Sequence, residues 1–98
     1  MKKVIVRYKV KAEKVLENEK LVKEVYKELH QQAPHDLSYA TYKLEDGLTF
    51  IHVAAHPEGN NPLAGLQAFK NFQKDIKDRC DEGPVVHHVE EIGSYRGH

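Results

Sequence analysis

Apolar and polar residues alternate from Lys3 to Val10, with Val4, Val6, Tyr8 and Val10 on one side and Lys3, Ile5, Arg7 and Lys9 on the other. A period of two gives an extended chain one apolar face, so this segment is expected to be the first strand. The period then lengthens. From Glu13 to about Ala33, Leu16 or Val15, then Val22, Val25, Tyr26 and Leu29 recur three and four residues apart with glutamates and lysines between them. That spacing predicts an amphipathic helix. Glu19 with Lys23, and Lys20 with Glu24, are placed for pairs on its outer side, each worth ~0.2–0.5 kcal/mol. Ala33-Pro34-His35-Asp36 ends it, because proline disfavours helical geometry in the residue before it.

Leu37 to Leu44 and Leu48 to Ala55 are β-rich and flank Glu45-Asp46-Gly47, whose Asp-Gly pair favours the positive φ of a tight hairpin. Both alternating sets of the returning strand are mainly apolar: Leu48, Phe50, His52 and Ala54 on one side, Thr49, Ile51, Val53 and Ala55 on the other. It is therefore expected inside the sheet with both faces covered. His56-Pro57-Glu58-Gly59-Asn60-Asn61-Pro62 is loop chemistry. Leu66, Phe69, Phe72, Gln73, Ile76 and Cys80 then predict a second helix from about Leu63 to Cys80, stopped by Asp81-Glu82-Gly83-Pro84. Val85 to Tyr95 is expected as a last, edge strand.

The order β-α-β-β-α-β is the ferredoxin-like α+β arrangement, a four-stranded antiparallel sheet with both helices on one face. Residues 1–98 suffice for one domain and leave no room for a second. Two helices cover one side of the sheet only. The other apolar side needs a cover, and the simplest is the same face of a second copy, so a homodimer is expected.

Charge narrows the partners. Fifteen basic residues balance fifteen acidic ones, which leaves no long-range field to attract nucleic acid or an anionic membrane. Two lysines near the N-terminus meet a further charge, Arg7, too soon for a secretion signal, and no run approaches a membrane span. One cysteine, Cys80, excludes an intrachain disulfide. A cytoplasmic domain is the expectation.

Three strings carry a resemblance that spans nearly the whole chain: "DGLTFIHV" from Asp46 to Val53, "NPLAGLQAFKNFQ" from Asn61 to Gln73 and "GSYR" from Gly93 to Arg96. With them, the chain resembles the antibiotic-biosynthesis-monooxygenase-like group of the dimeric α+β barrel superfamily, and within it small bacterial members without an assigned reaction. The resemblance implies a homodimer with a ligand pocket between sheet and helices. It also implies cofactor-free oxygenation of aromatic compounds, or haem degradation, as the activities such proteins carry. The haem degraders use a histidine on the second helix, an asparagine and a tryptophan. This chain has no tryptophan and no histidine between Leu63 and Cys80, which speaks against haem.

Among the candidate residues, His52 lies mid-strand in an apolar run, where an imidazole needs a hydrogen-bonding partner. It is the expected catalytic base, against the alternative of a structural histidine satisfied within the sheet. Tyr8, Tyr39, Phe50, Phe69 and Phe72 are the expected ligand-binding residues, their rings suiting a planar aromatic ligand. Tyr42, three residues from Tyr39, should point to the opposite face, and Arg7 is expected in a salt bridge rather than at a site. His56 is expected at an exposed loop edge. No metal is expected: His52 and His56 lie about 13 Å apart along a strand, and the adjacent His87 and His88 point to opposite sides. Cys80 is expected to fill space rather than react. No GxSxG, Walker or GxGxxG pattern occurs, so no cofactor is implied. Two functions follow: a cofactor-independent monooxygenase acting on a small aromatic ligand, or a non-enzymatic dimeric domain that binds a metabolite or serves a structural role.

Overall fold

The computed structural model describes residues 1–97. Strand β1 (Lys2–Val10) leads through a single 3-10 turn (Ala12–Lys14) into α1 (Val15–Gln32). Strands β2 (Ser38–Lys43) and β3 (Thr49–His56) form the hairpin. A second 3-10 turn (Pro62–Gly65), α2 (Gln67–Gln73) and the short α3 (Ile76–Arg79) then precede β4 (Cys80–Val89). All pairings are antiparallel, in the order β2-β3-β1-β4. This is the ferredoxin-like α+β fold expected from the hydrophobic pattern.

The register sorts the two faces. Val6 stands opposite His52, Tyr8 opposite Phe50, Tyr39 opposite Ala54 and Thr41 opposite His52, and these residues face the helices. There Tyr8, Val10 and Phe50 join Val22 and Val25 of α1, Leu63, Leu66, Phe72 and Cys80 in one buried core. Ile5, Ile51, Val53, Tyr42 and Val85 share the other face, where no helix lies, and Tyr42 and Val85 are more than half exposed. The interior position of β3 follows the expectation, but this chain covers only one of its faces.

The second helix departs from the pattern. It was expected to run unbroken to Cys80; instead α2 ends at Gln73, and Asp75 adopts left-handed geometry (φ 62°) before α3. The cause is Arg79, which occupies the buried phase of the helix seven residues after Phe72. Its guanidinium donates to the carbonyls of Phe72 (2.6 Å) and Lys74 (3.0 Å), taking up acceptors that a continuous helix would have used. Strand β4 starts at Cys80, directly after α3, and stops at Val89, earlier at both ends than the Val85–Tyr95 expected. Gly83-Pro84 is accommodated on this edge strand where its register against β1 shifts between Arg7 and Lys9.

Smaller differences have equally local causes. Leu16 is exposed, Val15 packs inward in its place, and Asn18 lies in the buried phase of α1. Glu19 pairs with Lys43 of β2 at 3.3 Å, across the helix–strand gap, rather than with Lys23. Arg7 is exposed and lies outside every salt bridge of the described residues. Glu28 of α1 accepts the backbone N–H of Ala68 (2.8 Å), so one helix caps the other.

Asp46 closes the hairpin. Its carboxylate accepts the N–H groups of Leu48 and Thr49 (both 2.9 Å) and the Thr49 hydroxyl (2.6 Å), while Gly47 takes φ 72°. These bonds, led by that from the Thr49 hydroxyl, favour the ionised form and hold the carboxyl at about 2, against an ordinary 3.8. A depressed carboxyl contributes stability that is full above its unfolded value and lost as pH falls through its folded one. Denaturant midpoints of the wild type are therefore expected to fall between about pH 4 and about pH 2 more steeply than those of Asp46→Asn. Equal slopes would refute this.

Candidate functional site

His52 projects from the middle of β3 toward the helices and is only 4% exposed. Both of its ring nitrogens are bonded. Nε2 lies 2.7 Å from the Tyr8 hydroxyl of β1; Nδ1 lies 2.8 Å from both the Tyr39 and Thr41 hydroxyls of β2. The antiparallel register produces this meeting, since Thr41 stands directly opposite His52 and Tyr39 and Tyr8 are diagonal neighbours on the same face. Rings stack alongside the bonds: Tyr8 and Tyr39 lie 5.3 and 5.7 Å from the imidazole, and Phe72 tilts across it at 5.2 Å.

The direction of each hydrogen bond follows from one donor-only group. Arg79 is 3% exposed and donates from Nε to Oδ1 of Asn18 (3.2 Å). A guanidinium has no acceptor, so Asn18 must turn its oxygen to Arg79 and its amide nitrogen to Tyr8, to which it donates at 2.9 Å. The Tyr8 hydroxyl, accepting there, gives its own proton to Nε2 of His52. His52 is then the Nδ1–H tautomer and donates to the Tyr39 and Thr41 oxygens; Thr41 is also 2.8 Å from the Tyr26 hydroxyl. Tyr39 thus receives its bond from His52 and keeps its own proton to give.

Burial sets the protonation of these groups. It pushes His52 down to about 4, so the imidazole is neutral. It pushes the phenols of Tyr8, Tyr39 and Tyr26 up, beyond the partly offsetting hydrogen bonds they receive. Arg79 is the one charge at the back of this network. It is stabilised by three acceptors and by the Phe72 ring 5.4 Å away, and no carboxylate pairs with it among the described residues.

A cavity of about 400 Å³ opens beside the network, between the sheet and the segment from Asn61 to Ile76. Its walls are Val4, Val6, Ala54 and Val86 of the sheet and Leu63, Phe69, Phe72 and Ile76 opposite, with Pro84 at one side. The polar groups on it are Tyr39, His52, His56, Asn61 and Gln73; no Asp, Glu, Lys or Arg lines it. Of the expected ligand-binding residues, Tyr39, Phe69 and Phe72 line the cavity with His52. Tyr8 and Phe50 lie behind its wall in the core, Tyr8 meeting the lining residues His52, through its hydroxyl, and Phe72, through its ring. Tyr42 points to the other face, as its spacing from Tyr39 required.

His56 corrects an expectation. It belongs to β3, is 8% exposed and lines the cavity rather than sitting at an exposed loop edge, because β3 pairs with β1 as far as Lys2 opposite His56. Its even spacing from His52 puts both on one face of the strand; the following proline pointed to exposure, whereas the Asn61–Ile76 segment packs over it. Asn18 and Arg79 also went unread, although each occupies an apolar phase of its helix. Cys80 is buried, and that burial pushes its thiol up. Among the described residues no three His, Cys, Asp or Glu side chains are grouped to hold a metal ion, and no helix is long and apolar enough to cross a membrane.

No family model and no curated protein matches the sequence. Solved structures do match the fold. A crystal structure of an antibiotic biosynthesis monooxygenase superposes with a TM-score of 0.78 over 95% of this chain and 100% of its own, at 18% identity. The protein Rv0793 from Mycobacterium tuberculosis gives 0.77 over 97% and 98% at 13% identity. A conserved protein from Methanosarcina mazei Go1 gives 0.73 over 92% and 91% at 18% identity. The chain therefore has the fold of the antibiotic biosynthesis monooxygenases over nearly its full length.

Because the neutral imidazole of His52 is the form the site stabilises, the sign of its pH dependence is defined. A histidine held below its unfolded value of about 6.5 contributes stability that is full above that value and lost as pH falls through about 4. Unfolding midpoints are expected to drop from about pH 6.5 to about pH 4 more in the wild type than in His52→Gln. Parallel curves would mean that His52 is not held neutral.

Proposed function

We propose that this chain, built on the antibiotic biosynthesis monooxygenase fold, binds a small, flat, largely apolar aromatic compound between its sheet and helices and oxygenates it without a cofactor. The observation that carries the reading is the cavity of about 400 Å³, apolar on its broad walls, with the Tyr39 O–H as a donor fixed from behind by His52. Such a wall suits a ligand with a carbonyl or phenolate oxygen. The absence of a charged lining side chain favours a neutral compound over a phosphate or carboxylate.

In this mechanism the ligand is ionised to a delocalised anion, and the anion itself reacts with oxygen against the apolar walls of the cavity. Tyr39 stabilises the negative oxygen as it develops. His52 belongs to the catalytic constellation, but its nitrogens are taken by Tyr8, Tyr39 and Thr41, and burial makes it a weak base. Its part is to orient Tyr39. The same observation favours the second reading, a domain that binds such a compound without turning it over, since His52 presents no free lone pair to the cavity.

The open sheet face supports a homodimer. Ile5, Ile51, Val53, Tyr42 and Val85 lie on the side no helix covers, with Arg7 and His87 as the polar residues among them. Beyond β4 the chain runs without regular structure; Glu91 pairs with Lys3 of β1 at 3.4 Å, but Ile92 and Tyr95 are about nine-tenths exposed, apolar side chains left for a second subunit to cover. Light scattering is expected to give twice the chain mass for the wild type and a monomer for Ile51→Asp. A wild-type monomer at micromolar concentration would end this proposal.

Oxygen-electrode assays with anthrones and aromatic quinols test the function. Tyr39→Phe is expected to bind the active compound about tenfold more weakly, ~1.4 kcal/mol, and to turn it over more slowly still. Binding without oxygen uptake selects the non-enzymatic reading; neither binding nor uptake by any of these compounds defeats both.

A further inference from the structure

His56 stands on the same face of β3 as His52, four residues and about 13 Å further along, and also lines the cavity. Its hydrogen bonding is the reverse of that of His52. Nδ1 lies 2.9 Å from the carbonyl oxygen of Pro57, and a carbonyl can only accept, so Nδ1 carries the proton. Nε2 is then the lone-pair nitrogen, and it has no hydrogen-bond partner among the described residues. The ring is 8% exposed and held by a backbone acceptor that also suits the imidazolium. Of the two cavity histidines, one has both nitrogens occupied and the other offers an oriented, free acceptor.

We infer that His56, through Nε2, is the base that removes a proton from the ligand, an inference that rests on reading the cavity as an oxygenation site. The two ends of the cavity then differ in polarity, with a donor at Tyr39 and an acceptor at His56. The matching ligand has an oxygen acceptor at one end and an acidic C–H or O–H at the other, as in a hydroxylated aryl ketone of the anthrone type. The methylene proton of an anthrone passes to Nε2, and the electron pair left on carbon delocalises across the central ring onto the carbonyl oxygen, which accepts from Tyr39. The carbanion gives two electrons to molecular oxygen as the C–O bond forms, and the peroxide recovers the proton from the His56 imidazolium. Loss of the second C–H proton with cleavage of the O–O bond releases water and leaves a carbonyl: anthrone plus oxygen becomes anthraquinone plus water. The imidazolium and ligand anion form a neutral pair, which fits a cavity whose lining carries no other charge.

The test uses 1,8-dihydroxyanthrone and the full chain in three measurements: probe binding, oxygen uptake in air, and anaerobic exchange of the probe's methylene protons with D2O by NMR. His56→Gln and His56→Ala are expected to bind the probe but to fall about a hundredfold or more in both reactions. Imidazole in the buffer is expected to restore His56→Ala, a result that loss of fold cannot mimic. A wild type active in both reactions with His56→Gln equally active overturns the role of His56 and leaves the oxygenation reading standing. Binding by the wild type with neither exchange nor uptake overturns His56 and oxygenation together while sparing the pocket; no binding overturns all three.

Discussion

A guanidinium gives hydrogen bonds and never receives them, and Arg79 is buried where that one-way character propagates. It orients Asn18, Asn18 orients Tyr8, Tyr8 sets the tautomer of His52, and His52 leaves Tyr39 with a proton to offer. The same side chain breaks the second helix by holding the Phe72 and Lys74 carbonyls. Burying a cation costs about several kcal/mol unless its donors are met, so the broken helix and the ordered network stabilise each other. The helix α1, the strands β1 and β3 and the α2–α3 junction are thereby tied to one atom arrangement.

The consequence for chemistry is a separation of roles between two histidines on one strand face. His52 is enclosed by hydroxyls and neutral because it is buried. His56 is fixed at one nitrogen by a backbone carbonyl. Position along β3 alone makes the difference: opposite His52 lie Val6 and Thr41, with tyrosines to either side, whereas His56 ends the strand, opposite Lys2 of β1 and beyond the reach of β2.

Particular residues show how far the sequence could be read. The alternation of Val4, Val6, Tyr8 and Val10, the Asp46-Gly47 turn and the stripe from Val22 to Leu29 are short-range patterns, and each produced the element it implied. Tyr39 and Tyr42 separated onto opposite faces because strand geometry leaves no alternative. Arg79 and Asn18 were illegible for the opposite reason. Each is polar in an apolar phase, and whether such a residue is buried depends on partners 61 positions apart in the chain. The exposure of His56 was misread because a following proline marks a turn but does not say what packs over the last strand residue, and the segment that covers it comes later in the chain.

By itself, then, the sequence determined the order of elements, the apolar face of β1, the interior position of β3 and the candidacy of His52, since period and turn chemistry act between neighbours; which face of β3 meets the helices it left open. The tertiary structure alone decided which tyrosines reach the cavity, which nitrogen of each histidine is free, and where the second helix breaks. Those outcomes depend on hydrogen-bond direction, and direction is set only when a buried donor such as Arg79 meets its distant acceptors.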